Sequence, residues 1–97
     1  MYSRMITLRI LPGKMDQAIR IFQHSAIPAV QKQKGYVDFS LMENRDMNEL
    51  IVMSRWETER DMLALEENAF VDQQMAKLSS VVREPPTGAC YKLLPTT

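Results

Sequence analysis

The chain has 97 residues, of which 45% are hydrophobic and 25% charged, a composition typical of one globular domain, so we expect a single domain over residues 1–97. Twelve acidic residues balance twelve basic ones and no basic stripe is present, which disfavours nucleic acid and acidic membrane surfaces as partners. No segment is apolar over the length needed to span a bilayer, and the N-terminus alternates as a strand does, unlike a signal peptide. The single cysteine, Cys90, excludes an intrachain disulfide and indicates a cytoplasmic protein.

The first two predicted elements are a strand and a long helix. Apolar residues alternate with polar ones from Tyr2 to Leu11, which is the period of a strand. Pro12-Gly13 ends this strand, and apolar residues recur at helical spacing from Lys14 to about Gln33. Because Pro28 removes one hydrogen bond to the preceding turn, we expect a kink or a break near residues 24–28.

A hairpin follows the helix. Gly35 ends the helix, and alternation from Tyr36 to Glu43 predicts a second strand. A polar turn over residues 44–48 leads into a third strand over about Leu50 to Glu57. In that strand the even-numbered residues differ in character from the odd-numbered ones, so its two faces are unlike.

A second helical region and a short last strand complete the chain. Thr58 and Asp61 form a capping box at the helix start. The apolar stripe then changes phase, which predicts a break near residues 66–68. Pro85-Pro86 closes the region, and alternation over residues 89–94 predicts the fourth strand. The order βαββαβ is that of a ferredoxin-like α+β fold, a four-stranded antiparallel sheet with helices on one face.

The two faces of this sheet are expected to differ. One is almost purely apolar and should lie beneath the helices: Ile6, Leu8, Ile10, Val37, Phe39, Leu41, Val52, Ala89, Tyr91 and Leu93. The other is mixed: Met5, Thr7, Arg9, Tyr36, Asp38, Ser40, Met42, Ile51, Met53, Arg55, Cys90, Lys92 and Leu94. A second copy packed face to face would cover the mixed face and let Asp38 pair with Arg9, Arg55 or Lys92, so we predict a homodimer.

Several local signals resemble those of the antibiotic biosynthesis monooxygenase-like family of dimeric α+β barrel proteins. They are Pro12-Gly13-Lys14, Gly35, Arg55-Trp56-Glu57, Phe70 and Pro85-Pro86. The resemblance covers nearly the whole chain and implies a homodimer whose sheets form a barrel, with a pocket in each subunit between sheet and helices. It also implies an activity, since members include cofactor-independent oxygenases of quinols and polyketide-like aromatics, and haem-degrading enzymes.

Departures from the family pattern restrict the catalytic assignment to Trp56. Haem-degrading relatives combine the tryptophan with an asparagine on strand one and a histidine on helix two, where this sequence has residues 5–7 (MIT) and 66–68 (EEN). Polyketide-oxidising relatives have an asparagine earlier on the tryptophan's strand, where this chain has Val52. The alternative for Trp56 is a large core residue under the second helix.

The candidate substrate contacts are Trp56, Ser54, Tyr91 and Phe70, which would surround an apolar or aromatic small molecule. No metal site and no cofactor are predicted, because one histidine and one cysteine on distant elements cannot hold zinc. The helical phase turns His24 to solvent, and strand alternation directs Cys90 toward the barrel side, so neither reaches haem beside Trp56.

Two functions remain open at the level of the sequence. The first is a cofactor-independent monooxygenase of an electron-rich quinol or polyketide-like aromatic, in which the protein holds the substrate anion in a dry cavity. The second is a non-catalytic homodimer that binds a small molecule or serves as a regulatory module.

Overall fold

The computed structural model describes residues 1–67 and 70–96, and within these ranges all side chains except those of Glu66, Glu67, Phe70 and Val71. Its four strands are β1 (Tyr2–Arg9), β2 (Tyr36–Asn44), β3 (Glu49–Trp56) and β4 (Thr87–Lys92). They form one antiparallel sheet in the order β2-β3-β1-β4. The predicted ferredoxin-like βαββαβ fold is confirmed.

The first helix is continuous but changes its hydrogen-bonding pattern before Pro28. It consists of α1 (Met15–Ile21), a π-helical segment (Phe22–Ala26) and α2 (Ile27–Val30). The Ile27 N–H donates to the Phe22 carbonyl, five residues back. The helix therefore accommodates a proline by local widening, which is a known use of π-helical turns, and the predicted irregularity takes this form instead of a break.

The hairpin β2–β3 contains a β-bulge that the sequence pattern did not reveal. Tyr36 pairs with Trp56, whereas Asp38 pairs with Arg55, so Val37 is the extra residue. Tyr36 was predicted on the mixed face. The bulge instead turns its ring onto Trp56 in an edge-to-face contact, with 6.2 Å between ring centroids.

The faces of β3 follow the prediction, and those of β4 contradict it. In β3 every even-numbered residue from Leu50 to Trp56 is buried beneath the helices. We call the face of the sheet that the helices do not cover the open face. In β4 Cys90 pairs with Arg4 and Tyr91 pairs with Ser3, and residues paired across antiparallel strands point to the same face. Tyr91 therefore lies on the open face and Cys90 on the helix side. All six β4 residues are exposed, so alternation in this edge strand carried no information about burial.

The open face holds an ion pair within one chain. The Arg55 guanidinium donates from Nε to both oxygens of Asp38, at 2.8 and 2.9 Å. This hydrogen bonding holds the pKa of Asp38 below its usual range. Arg9 lies 3.6 Å from both Glu49 and Glu84. Of the three predicted partners of Asp38, Arg55 is therefore found on the neighbouring strand of the same chain, and pairing of Asp38 across a dimer stays a prediction.

The second helical region forms α3 (Glu59–Glu67) and α4 (Phe70–Leu78). Thr58 caps α3 as predicted, because its hydroxyl accepts from the Asp61 N–H at 3.1 Å. The Asp61 carboxylate accepts from the Thr58 hydroxyl at 2.8 Å, whereas in a capping box it would accept from the Thr58 backbone N–H. The predicted break near residues 66–68 extends onto residue 68, which lies outside the described residues.

Two clusters of apolar side chains fill the space between sheet and helices. The larger one joins the first helix to the middle of the sheet and includes Leu8, Phe22 and Val52. The smaller one surrounds Trp56 and includes Val30, Met62 and Leu65. Over the described residues, no helix is long and apolar enough to cross a lipid bilayer.

Gly35 is predicted to be essential for the junction between α2 and β2. It has φ +82°, and a Cβ there would lie 2.5 Å from the Asp61 Cβ and Cγ. Gly13 has φ +80° but open space around it. We expect Gly13→Ala to cost about 1 kcal/mol of unfolding free energy through backbone strain alone, and Gly35→Ala to cost roughly twice that or more, because it also displaces Asp61. Urea denaturation measures both, and equal losses would contradict this account.

Candidate ligand-binding cavity

Trp56 is held at the end of β3 by a buried hydrogen bond. Its side chain is completely buried, and its indole Nε1–H donates to the Ser54 Oγ at 3.0 Å. Strand alternation directs both side chains toward the helices. The indole therefore has its one donor satisfied inside the core.

A cavity of about 50 Å³ lies where the two apolar clusters meet. Its walls come from the sheet, the first helix and α3–α4. The described residues that line it are Arg4, Ile6, Phe22, Ala26, Val30, Phe39, Val52, Ser54, Leu65, Gln74 and Met75. Three of these residues, Arg4, Ser54 and Gln74, are polar, but the wall of the cavity is almost entirely apolar, as in many small-molecule sites.

The hydrogen bond from Trp56 determines how Ser54 can serve a ligand. A hydroxyl has one hydrogen to donate and two lone pairs. One lone pair of Ser54 accepts the indole N–H, so its own hydrogen is available to a group in the cavity. Arg4 lies directly opposite Ser54 in the β1–β3 register, and its guanidinium has donors only.

The cavity is smaller than an aromatic ring requires. A dry cavity of about 150 Å³ encloses a benzene molecule, three times the space present here. Met75 lines the cavity and also borders an outer groove over residues 82–86. Because a methionine side chain is unbranched and adapts its shape, its displacement is the simplest way for the cavity to widen toward that groove.

The predicted site residues do not all meet at this cavity. Ser54 lines it, while Trp56 lies behind Ser54, in contact with Tyr36 and outside the lining. Tyr91 is 54% exposed and lies on the open face of the sheet, away from the cavity. The side chain of Phe70 lies outside the described part of the structure.

Two lining residues, Arg4 and Gln74, were missed at the sequence level. Arg4 is the charged position on the face that also carries Ile6 and Leu8. Gln74 is four residues before Leu78, in the apolar stripe of α4. A polar residue at a core-facing position was the signal available in both cases.

The residues considered for metal or haem chemistry are exposed. His24 lies in the π-helical segment and faces solvent, as predicted. Cys90 is exposed as well, but on the helix side and not on the barrel side. In the described parts of the chain, no group of three or more His, Cys, Asp or Glu side chains could hold a metal ion.

The fold and the cavity define a small ferredoxin-like α+β domain with an apolar cavity between sheet and helices. Comparison of the sequence with known families gives the same class. Residues 1–72 match the family described as antibiotic biosynthesis monooxygenase, and the chain belongs to that family. No curated protein matches the sequence.

Solved structures confirm the fold at low sequence identity. A monooxygenase from the gene ActVA-Orf6 of Streptomyces coelicolor, in complex with nanaomycin D, has a TM-score of 0.80 and 14% identity over 98% of this chain and 92% of its own. SnoaB from Streptomyces nogalater, a cofactor-independent oxygenase, has a TM-score of 0.80 and 14% identity over 98% and 94%. Rv0793 from Mycobacterium tuberculosis has a TM-score of 0.77 and 15% identity over 98% and 96%.

The coupling between Ser54 and Trp56 can be measured as a double-mutant cycle. We expect Ser54→Ala to cost about 1–3 kcal/mol of unfolding free energy, because it leaves the buried indole N–H without its acceptor. In a Trp56→Phe background the same change should cost clearly less, since no N–H remains. Urea denaturation of the four proteins gives both values. Additive losses would contradict a hydrogen bond that matters for the core.

Proposed function

We propose that this protein is a monooxygenase that acts on an electron-rich quinol or polyketide-like aromatic without a metal or an organic cofactor. The observation that carries the proposal is an apolar cavity whose described polar lining, Arg4, Ser54 and Gln74, can donate hydrogen bonds to a substrate oxygen. Family membership supports it, as does the fold shared with SnoaB and with the Streptomyces coelicolor enzyme that holds nanaomycin D.

The chemistry requires little beyond a dry, donor-lined space. The anion of a phenol or enol is electron-rich enough to pass one electron to O₂, and the resulting radical pair combines into a peroxide at a ring carbon. Loss of water from that peroxide leaves one oxygen atom as a carbonyl, so a ring CH₂ becomes C=O. Donors fixed around the substrate oxygen stabilise the anion more in a water-excluded cavity than they would in water.

The substrate is expected to lose its proton readily by itself. Among the described residues lining the cavity, Arg4 is the one ionisable side chain, and a guanidinium stays protonated and cannot act as a base. An acidic phenol or quinol meets this condition because it ionises near neutral pH without a catalytic base. In this proposal Trp56 acts through Ser54, whose hydroxyl it orients.

Oxygen uptake tests the proposal. With metals chelated, quinols and anthrone-like phenols should cause protein-dependent oxygen consumption in an oxygen electrode. Trp56→Phe should lower the rate roughly tenfold, which corresponds to about 1.4 kcal/mol of transition-state stabilisation, because Ser54 loses the group that orients it. Exposed His24 provides the control, since His24→Ala should leave the rate unchanged.

The alternative function is a non-catalytic homodimer that binds a small apolar molecule or regulates another process. The observation that favours it is the one just given, namely that no described lining residue can accept a proton from a substrate. Oxygen uptake no faster than background across the whole panel would favour this alternative.

A cytoplasmic location stays a prediction. We also propose that two copies of the chain associate through the open face of the sheet. Apolar side chains on that face include Met5, Ile51 and Met53, which neighbour one another in the β1–β3 register. Tyr91 and Met42 extend the apolar surface to both edge strands, and they are 54% and 45% exposed. Exposed apolar surface of this extent is typical of an interface, and the Asp38–Arg55 pair would lie within it already neutralised.

Light scattering tests the association. At micromolar concentration the protein should have about twice the chain mass of 11.2 kDa. Met53→Asp should dissociate it, because an unpaired charge buried in an interface costs several kcal/mol. Met47→Asp provides the matched control, since Met47 is 53% exposed in the turn after β2. A wild-type monomer would refute the dimer.

A further inference from the structure

Gln74 is a buried carboxamide in a position where α4 faces the sheet. Only 8% of its surface is exposed, and it lines the same cavity as Ser54. A buried amide is costly unless its groups find hydrogen-bonding partners. The contacts that hold Gln74 therefore indicate which of its groups is left for a ligand.

Lys77 and Ser25 determine the orientation of the Gln74 amide. The Lys77 ammonium donates to the Ser25 Oγ at 2.6 Å, and the Ser25 hydroxyl donates to the Gln74 Oε1 at 3.1 Å. Because an ammonium group has no acceptor, the serine oxygen must accept from it and uses its own hydrogen for Gln74. The carbonyl oxygen of Gln74 is thereby engaged, and among the described residues its NH₂ group has no partner.

Two polar side chains of the described lining, Ser54 and Gln74, can therefore donate to a ligand. Ser54 has a free hydroxyl hydrogen because its oxygen accepts from Trp56. Gln74 has its NH₂ group, because its carbonyl oxygen accepts from Ser25. A ligand that matches these groups must bring an acceptor oxygen into an otherwise apolar space. A ligand without one would leave buried donors unpaired.

We propose that Gln74, oriented by Lys77 through Ser25, is a specificity-determining residue that selects apolar rings bearing an acceptor oxygen over the same rings without one. The acceptor is a ketone, a quinone carbonyl or a phenolate. This inference rests on the cavity being the ligand site of the proposed function, and it adds which substrates the site admits. It requires no particular reaction.

Binding of a matched pair of small ligands tests the inference. The pair is 1-indanone and indane, which share one bicyclic skeleton and differ in a carbonyl oxygen. By isothermal titration calorimetry the wild-type protein should prefer the ketone by roughly tenfold, the order expected for hydrogen bonds made in an apolar site. Gln74→Leu should remove most of this preference while keeping or improving the affinity for indane, which would also show that the variant is folded.

The two hydrogen bonds that link Lys77 through Ser25 to Gln74 are tested by two further variants and one control. Lys77→Met and Ser25→Ala should each reduce the ketone preference without changing the affinity for indane, a result that a purely structural role would not give. Gln73→Leu, on the exposed side of the same helix, should leave the preference unchanged. A ketone preference that survives Gln74→Leu, an equal loss in Gln73→Leu, or no binding of either ligand to wild type would overturn the inference.

These binding measurements separate this inference from the proposed function. A ketone preference that depends on Gln74, together with no oxygen uptake, would support the specificity role and refute the oxygenase. Oxygen uptake with no such preference would support the oxygenase and refute the role of Gln74.

Discussion

The hydrogen bond from the Trp56 indole to Ser54 is the constraint on which the site depends. The only tryptophan of the chain is completely buried on the helix-covered face of β3, where an unpaired indole N–H would be costly. Ser54 satisfies that donor from two residues away along the same strand. Because Ser54 accepts this hydrogen bond, its own hydroxyl hydrogen can be donated to a group in the cavity that it lines.

The cavity lies where three polar side chains approach the boundary between two apolar clusters. Protein interiors are close-packed, and voids are few. Arg4, Ser54 and Gln74 lie on different elements and converge at one place. Their donors are of most use to an acceptor oxygen on an apolar ring. Both candidate functions use this feature, and they differ in whether the bound ligand also reacts with O₂.

The sequence predicted those features of the fold that depend on a pattern of only a few neighbouring residues. The Thr58 cap of α3 and the strict alternation of β3 act over a few residues, and both are present as expected. The bulge at Val37 and the register of β4 depend on how strands pair across the sheet. The pattern within one strand does not contain that information, which is why Tyr36 and Tyr91 were placed on the wrong faces.

The candidate site was only partly predictable for the same reason. Ser54 was identified because it shares a strand face with Trp56. The Gln74 amide is oriented by Ser25, which lies 49 residues away in the sequence. Arg4 is placed at the cavity by its position opposite Ser54 on another strand. Such convergence appears only when the helices have been placed on the sheet.

The most direct test of the account is the indole N–H of Trp56 observed by NMR. A chain with one tryptophan gives one indole cross-peak in a ¹H–¹⁵N spectrum. The account predicts that this proton exchanges slowly with solvent, and that 1-indanone shifts its resonance in the wild-type protein but not in Ser54→Ala. A rapidly exchanging indole proton, or a resonance that 1-indanone leaves unchanged at saturation, would contradict the claim that Trp56 orients Ser54 toward a ligand.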